Sequence, residues 1–265
     1  METASPLPRS ELIRHLVDTR IAGNIATTRE NNLDHYRSLA LGDPYYMFGL
    51  TFRNDWTYRD VLALMAKSAG VVDDPEHRAG QDTIDPERTV DALDAMAARI
   101  AAALKRPNPR LLFATGHPTG IMTIHLALAR LAARCGATLL TPAEGTMISS
   151  GGLGRKRRIL YFDDVCVLAD GGALVHSHDP APMQRMLARL DSEPPDLVVA
   201  DHGFAGAAGE AGVETVGFAD SNDPGLFVGE AEGKIAVTVP LDDNVFPRHY
   251  APLTAYLISR VQSDL

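Results

Sequence analysis

The chain is predicted to be an α/β protein: a layered, mostly parallel sheet flanked by helices, entered through an N-terminal region that is mainly helical. Three observations carry this. Residues 1–108 place apolar positions at helical spacing and punctuate them with Gly and Pro. From residue 109 onward, short apolar runs of strand length recur, several of them apolar on both faces, as in parallel strands covered by helices. Helical segments lie between those runs, and that alternation marks a layered α/β fold. The change of pattern divides the chain into a helical region, 1–108, and an α/β domain, 109–265.

In chain order, Ser10 stands where it can cap a helix from Glu11; Ile13 occupies the position a capping box would give to an acid. Thr27-Thr28-Arg29-Glu30 opens a polar helix to Leu39, which Leu41-Gly42-Asp43-Pro44 breaks. The stretch GNIATTRENN reads as a capped surface helix, with Arg29 and Asn32 the side chains on it that could reach a ligand. Trp56 is expected to pack between helices. VLALMAKSAG has helical apolar spacing and Gly70 as its stop. VVDDPEHRAGQD reads as a loop. A long helix then starts at Asp85-Pro86-Glu87-Arg88, with proline in its first turn, and KRPNPR ends it. Beyond it, LLFATG, TLLTP, RILYF, VCVLAD, ALVHS, LVVAD, TVGFAD and IAVTVP are predicted strands, with GIMTIHLALARLAARCG and PMQRMLARL as helices between them.

Composition narrows the function. Hydrophobic residues make up 45% of the 265, enough for a sizeable core. The net charge of −9 argues against nucleic acid and anionic membranes as partners and leaves a small anionic substrate open. A homo-oligomer is compatible with it. The sequence shows neither a long apolar span nor a signal-type apolar stretch, so a cytoplasmic protein is expected. Cys135 and Cys166 lack CxxC partners and read as reduced thiols rather than zinc ligands.

The first chemical feature is Gly116-His117-Pro118-Thr119-Gly120, between a strand and a helix. Ligands of α/β sheets bind beyond the carboxyl ends of strands, where a helix start offers N–H groups. Gly116 and Gly120 are expected to admit a ligand to the backbone, Thr119 to donate a hydroxyl, and His117 to bind phosphate or move a proton. The spacing fits neither GxGxxG nor GxxxxGK[ST]. His125, inside the following apolar helix, reads as a satisfied core histidine.

Further strand ends carry imidazoles and carboxylates: His176-Ser177-His178, Asp201-His202-Gly203, Asp220-Ser221-Asn222-Asp223 and Asp242-Asp243-Asn244. In an extended segment His176 and His178 point to one side, a workable arrangement for two ligands of one metal. Imidazole with carboxylate is the donor set of hydrolytic metal sites. A divalent ion (Mg, Mn or Zn) is therefore expected on His176, His178, Asp201, Asp220 and Asp223. Asn222 joins the substrate contacts, and His202 and Asp201 join His117 as catalytic candidates. The Asp and Asn loops are also ordinary turn chemistry. In SSGGLGRKRR, Arg155 and Arg157 are candidates to clamp phosphate.

HSH followed by ADHG resembles the first two motifs of the PHP (polymerase and histidinol phosphatase) metal hydrolases, over residues 172–205. That resemblance implies two or three metals, phosphate-ester hydrolysis, and roles for His176, His178, Asp201 and His202; in that family HxH lies on the first strand of a barrel. With ATGHPTG and DSNDP, the chain also resembles bacterial phosphatases of actinobacterial type. The expected function is a metal-dependent phosphatase acting on a small phosphorylated metabolite. A metal-free lyase, isomerase or transferase binding an anionic metabolite, and a non-catalytic ligand-binding protein, are the alternatives.

Overall fold

The computed structural model describes residues 6–150, 154–190 and 193–265. Helix α1 (Arg9–Asp18) starts after Pro8, so Ser10 lies inside it rather than at its cap. Residues 23–28 are not a helix start but strand β1 (Gly23–Thr28); Thr28 then caps α2 (Arg29–Ala40) by accepting from the Asn31 N–H. Helix α3 (Pro44–Met47) is a single turn capped by Asp43, and α4 (Tyr58–Ser68) opens with a capping box between Thr57 and Asp60. The expected loop before residue 85 ends in strand β2 (Gln81–Ile84), which pairs antiparallel with β1. Helix α5 (Pro86–Leu104) begins where the sequence placed it, and Asp85 caps it by accepting from the Glu87 N–H.

The main sheet then forms. Its elements are β3 (Arg110–Ala114), α6 (Met122–Arg134), β4 (Thr138–Leu139), β5 (Met147–Ser150), β6 (Arg155–Phe162), β7 (Val165–Asp170), β8 (Ala173–Val175) and α7 (Ala181–Leu187). There follow β9 (Leu197–Asp201), α8 (His202–Glu210), β10 (Thr215–Ala219), α9 (Pro224–Ala231), β11 (Val237–Pro240) and α10 (Ala251–Ser263). Helices α8, α9 and α10 had no clear sequence signal. In α8 the reason is glycine, a poor helix former; at Gly206 a Cβ would stand 2.1 Å from the Phe48 carbonyl oxygen, so the packing demands the residue that the propensity disfavours.

The strand order is β11-β10-β9-β3-β7-β6-β5, with β4 beside β3 and β8 beside β7. From β11 to β7 the pairings are parallel; β6, β5 and β8 are antiparallel additions. The order has two free ends, so the sheet is open and the barrel implied by the PHP resemblance is not formed. Alternate strand residues feed two cores. Leu111, Phe113, Val199 and Phe218 pack under α1, α5, α6 and α10, whereas Leu112, Ala114, Val198 and Ala200 pack under α2, α4, α7, α8 and α9. No helix among the described residues is long and apolar enough to cross a membrane. Cys135 and Cys166 are both free, and Cys166 is buried in β7.

Arg29 and Asn32 are fully buried, which corrects the surface-helix reading. The Arg29 guanidinium donates to Asp82 at 2.8 Å and to the Asp74 and His77 carbonyls, tying α2 to β2 and the loop before it. Removing one partner leaves the other charge buried and unpaired. Arg29→Met is expected to lower the unfolding free energy by about 3–5 kcal/mol, read from urea denaturation; an unchanged midpoint would show the pair to be dispensable.

Candidate active site

The parallel arrangement brings the carboxyl ends of β3, β9, β10 and β11 to one edge, each followed by a polar loop. Strand β8 runs back along β7 and carries the chain across the end of β3, where the Ser177 N–H donates to the Gly116 carbonyl at 2.9 Å. His176 and His178 therefore hang over the same edge. A cavity of about 600 Å3 lies there, lined in part by His117, His176, His178, His202, Asp223 and Asp243.

Asp201 and His202 form the base of the site. Asp201 is fully buried and is not at the cavity. Its Oδ1 accepts from the Gly116 N–H at 2.6 Å and pairs with His202 Nδ1 at 2.7 Å; its Oδ2 lies 3.1 Å from His125 Nε2. Burial by itself would raise this carboxyl's pKa, but the bonds to His125 and His202 outweigh it and hold the group far below the usual carboxylate range. Both oxygens are thus committed, and Asp201 orients His202 rather than joining the donor clusters. His125 is the buried histidine the sequence indicated, with Asp201 as its partner.

His202 has a left-handed backbone, φ 46°, a conformation that a non-glycine residue keeps only where its surroundings impose it. Its Nε2 lies 3.2 Å from Asp223 Oδ2, 3.5 Å from Asp243 Oδ2 and 3.5 Å from His176 Nε2. Burial disfavours its cationic form, yet Asp223 and Asp201 reverse that and raise its pKa well above the ordinary value. Burial and the neighbouring His202 push the other imidazoles down: His117 to about 4, His178 to about 3, and His176 in the same direction. These three are neutral near pH 7, the form that binds metals.

Among the described residues, three groups of side chains bring donor atoms within 4.8 Å of one another: His176, His178 and His202; His202, Asp223 and Asp243; and Asp220, Asp242 and Asp243. His202 and Asp243 each belong to two groups. The last group is braced from the N-terminal region, since Thr27 donates its hydroxyl to Asp220 at 2.7 Å and the Ala26 N–H donates to Asp242. Helix α2 holds the Asp220–Asp223 loop: His35 Nδ1 lies 2.8 Å from the Asn222 carbonyl, and the Tyr36 hydroxyl donates to the Ser221 carbonyl at 2.6 Å. Burial and the adjacent Asp242 push Asp220 up to about 8, and burial raises Asp243 as well.

The GHPTG turn differs from the anion cradle that its sequence suggests. Its Gly116 and His117 N–H groups go to Asp201 and to the Thr115 hydroxyl, and that of Gly120 goes to the His117 carbonyl. Both glycines admit protein backbone instead of ligand. A Cβ on Gly116 would lie 2.4 Å from the Ser177 carbonyl oxygen, and one on Gly120 would lie 1.8 Å from that of Asp243. Thr119 is exposed and lines a neighbouring cavity, whereas His117 faces the centre, its Nε2 3.7 Å from Asp243 Oδ1.

Asn222 lines the main cavity and hydrogen-bonds Asn31. Arg155 and Arg157 do not line it. They lie in β6, where Arg155 faces Asp170 at 3.5 Å and Arg157 faces Ser150, because pairing with β5 and β7 turned the basic run into a strand. Gly151, Gly152 and Leu153 of that loop lie outside the described residues. The carboxylate of Asp243 and the side chains of Thr27, His35 and Tyr45 were not assigned from the sequence. Asp243 had a signal, the Asp-Asp run after a strand, which equally marks Asp242, a further carboxylate of the site that had no role assigned from the sequence.

Fold and centre define a class: an α/β enzyme with its imidazole and carboxylate groups gathered at the carboxyl edge of a parallel sheet. Comparison narrows it. A sequence family described as Phosphatase matches residues 7–264. A Streptomyces coelicolor protein named Phosphatase SCO2771 is 49% identical over 263 residues, covering 96% of this chain and 98% of that protein. The chain belongs to the phosphatase family.

Asp201→Asn is expected to remove the charge that supports His202. The imidazole signal of His202 in NMR titrations of metal-free protein should shift to lower pH, and stability should fall by about 3 kcal/mol or more. An unmoved titration would detach His202 from Asp201.

Proposed function

We propose that the chain is a divalent-cation-dependent phosphatase acting on a small phosphorylated metabolite. One observation carries this reading. The lining of the main cavity includes the four carboxylates Asp220, Asp223, Asp242 and Asp243 but, among the described residues, no Lys or Arg. Once these carboxylates are ionised they repel a phosphate dianion by Coulomb forces that burial strengthens, and the one cation of the lining among the described residues, His202, does not balance them. The cavity becomes a phosphate site only when cations fill it.

The donor set fits such ions. Ligands 2.0–2.1 Å from a tetrahedral cation stand about 3.3 Å apart, and His202 Nε2 stands at that kind of distance from each of Asp223 Oδ2, Asp243 Oδ2 and His176 Nε2. Asp243 Oδ2 and His178 Nδ1 are buried without a hydrogen-bond partner, an arrangement that a cation would satisfy. In this reading His176, His178, His202, Asp220, Asp223, Asp242 and Asp243 hold the cations, and Asp201 and His125 stand behind His202 as orienting groups. A bound divalent cation supplies neutralisation of the phosphoryl oxygens and a more acidic water.

The chain's own residues supply the rest. His117 is neutral, and with its hydrogen on the buried Nδ1 its Nε2 is the proton acceptor facing the centre. It takes the proton of the attacking water and returns it to the leaving oxygen. Asn222 and Asn31 present amides to the substrate.

Phosphate release from a panel of small esters is expected to stop with chelator and return with Mn2+ or Zn2+. His176→Ala should lower it about a hundredfold or more and reduce the metal found by elemental analysis. Release that persists in rigorously metal-free protein would overturn the reading.

The same cluster sets a pH dependence. In the metal-free fold Asp220, Asp243 and His202 keep protons that the unfolded chain gives up, because their folded pKa values are raised. The unfolded histidines are half protonated near pH 6.5 and largely neutral by about 7.5, so the depressed His117, His176 and His178 offset part of the slope at the acid end of the range and almost none of it above. Metal-free protein should therefore lose stability as pH rises from 6.5 to about 8, the value to which Asp220 is raised. Added cation should abolish the slope, because it takes the place of those protons. Urea midpoints measured across that range, with and without Mn2+, check both halves.

A further inference from the structure

A second cavity of about 480 Å3 adjoins the first and shares Ala26, Asp242 and Asn244 with it. Its other walls include Arg20, Thr119 and Phe246. The chemistry changes across the shared residues. One side gathers most of the imidazoles and carboxylates, with Tyr45 and Tyr46 beside them; the other holds fewer, Asp18 and His249 besides the shared Asp242, and adds the guanidinium of Arg20 and the phenyl ring of Phe246.

Each of these groups is placed rather than loose. Arg20 has a left-handed backbone, φ 63°, and its guanidinium donates to the Asn24 and Ile25 carbonyls at 3.1 and 2.9 Å. Phe246 is 64% exposed, among the most exposed large apolar side chains of the protein. The Arg248 guanidinium lies 4.8 Å from its ring centre and the His249 ring 5.8 Å away, so the phenyl is buttressed by its own segment. Within GHPTG, His117 lines the reactive cavity and Thr119 lines this one.

With its phosphate at the centre, an ester extends its alcohol part into contiguous space. We propose that the second cavity is the leaving-group subsite, and that the preferred substrates are phosphomonoesters whose alcohol carries a flat aromatic or heteroaromatic ring, as in nucleoside monophosphates. The inference rests on the phosphatase reading above. The ring stacks on Phe246, while Arg20 and Thr119 donate hydrogen bonds to its polar edge or to the linking sugar. A polyol phosphate would gain nothing from Phe246, because it has no flat face to stack.

The test is steady-state hydrolysis of adenosine monophosphate and glycerol phosphate by metal-loaded protein and by Phe246→Ala and Phe246→Tyr. The wild type is expected to favour adenosine monophosphate in kcat/KM by about tenfold or more. Phe246→Ala should collapse that ratio through KM for the ring-bearing ester, and Phe246→Tyr should keep it. Thermal unfolding of each variant checks that the fold is intact. Hydrolysis of both esters with equal kcat/KM, or a ratio untouched by Phe246→Ala, overturns the subsite and leaves the phosphatase reading standing. Release from neither ester, in protein that also fails on the wider ester panel, overturns both.

Discussion

Mutual repulsion among buried carboxylates is the constraint on which the rest of this structure turns. Asp220, Asp223, Asp242 and Asp243 come from two strand ends and lie buried at one edge of the sheet. Like charges this close raise one another's pKa and oppose folding unless protons or cations sit among them. His202 is the counter-charge the chain itself supplies. Its strained backbone, and the fully committed Asp201 behind it, are what place that imidazole between Asp223 and Asp243.

Much of the remaining architecture braces this arrangement. The β1 strand delivers Thr27 and the Ala26 N–H to the acidic loops, and α2 fixes the Asp220–Asp223 loop through His35 and Tyr36. Asn32 links that loop inward, donating to both Ser221 and Asp82, and Asp82 is held by Arg29. The buried ion pair thus stands in one hydrogen-bonded chain with the acidic loop. Gly116 and Gly120 serve the same end by letting the Ser177 and Asp243 backbones close on the turn after β3.

The distribution of positive charge follows from this. In the proposed function, a guanidinium inside the centre would occupy the space that the cations need. The basic run of β6 is instead spent on strand pairing and on Asp170, while Arg20 and Arg248 stand by the adjoining cavity. Imidazoles, neutral where burial and His202 depress them, are the donors that remain compatible with both water and metal.

The sequence by itself determined the layered α/β class, most of the strands after residue 109, and the His and Asp residues at strand ends, because these depend on local periodicity and on residue chemistry. It identified His117, His176, His178, His202, Asp220 and Asp223 as chemical groups. The tertiary structure decided which of them meet. Parallel pairing set the strand ends side by side, and the return of β8 across β3 carried His176 and His178 to them. Tertiary packing alone drew Asp201 behind His202, made Gly116 and Gly120 backbone contacts, turned Arg155 and Arg157 into strand residues, and brought in Thr27, His35 and Tyr45 from the first fifty residues. No local pattern encodes such meetings. They arise from contacts between segments far apart in the chain, and hydrophobic spacing, which reports only which face of an element is buried, carries no information about which segment buries it.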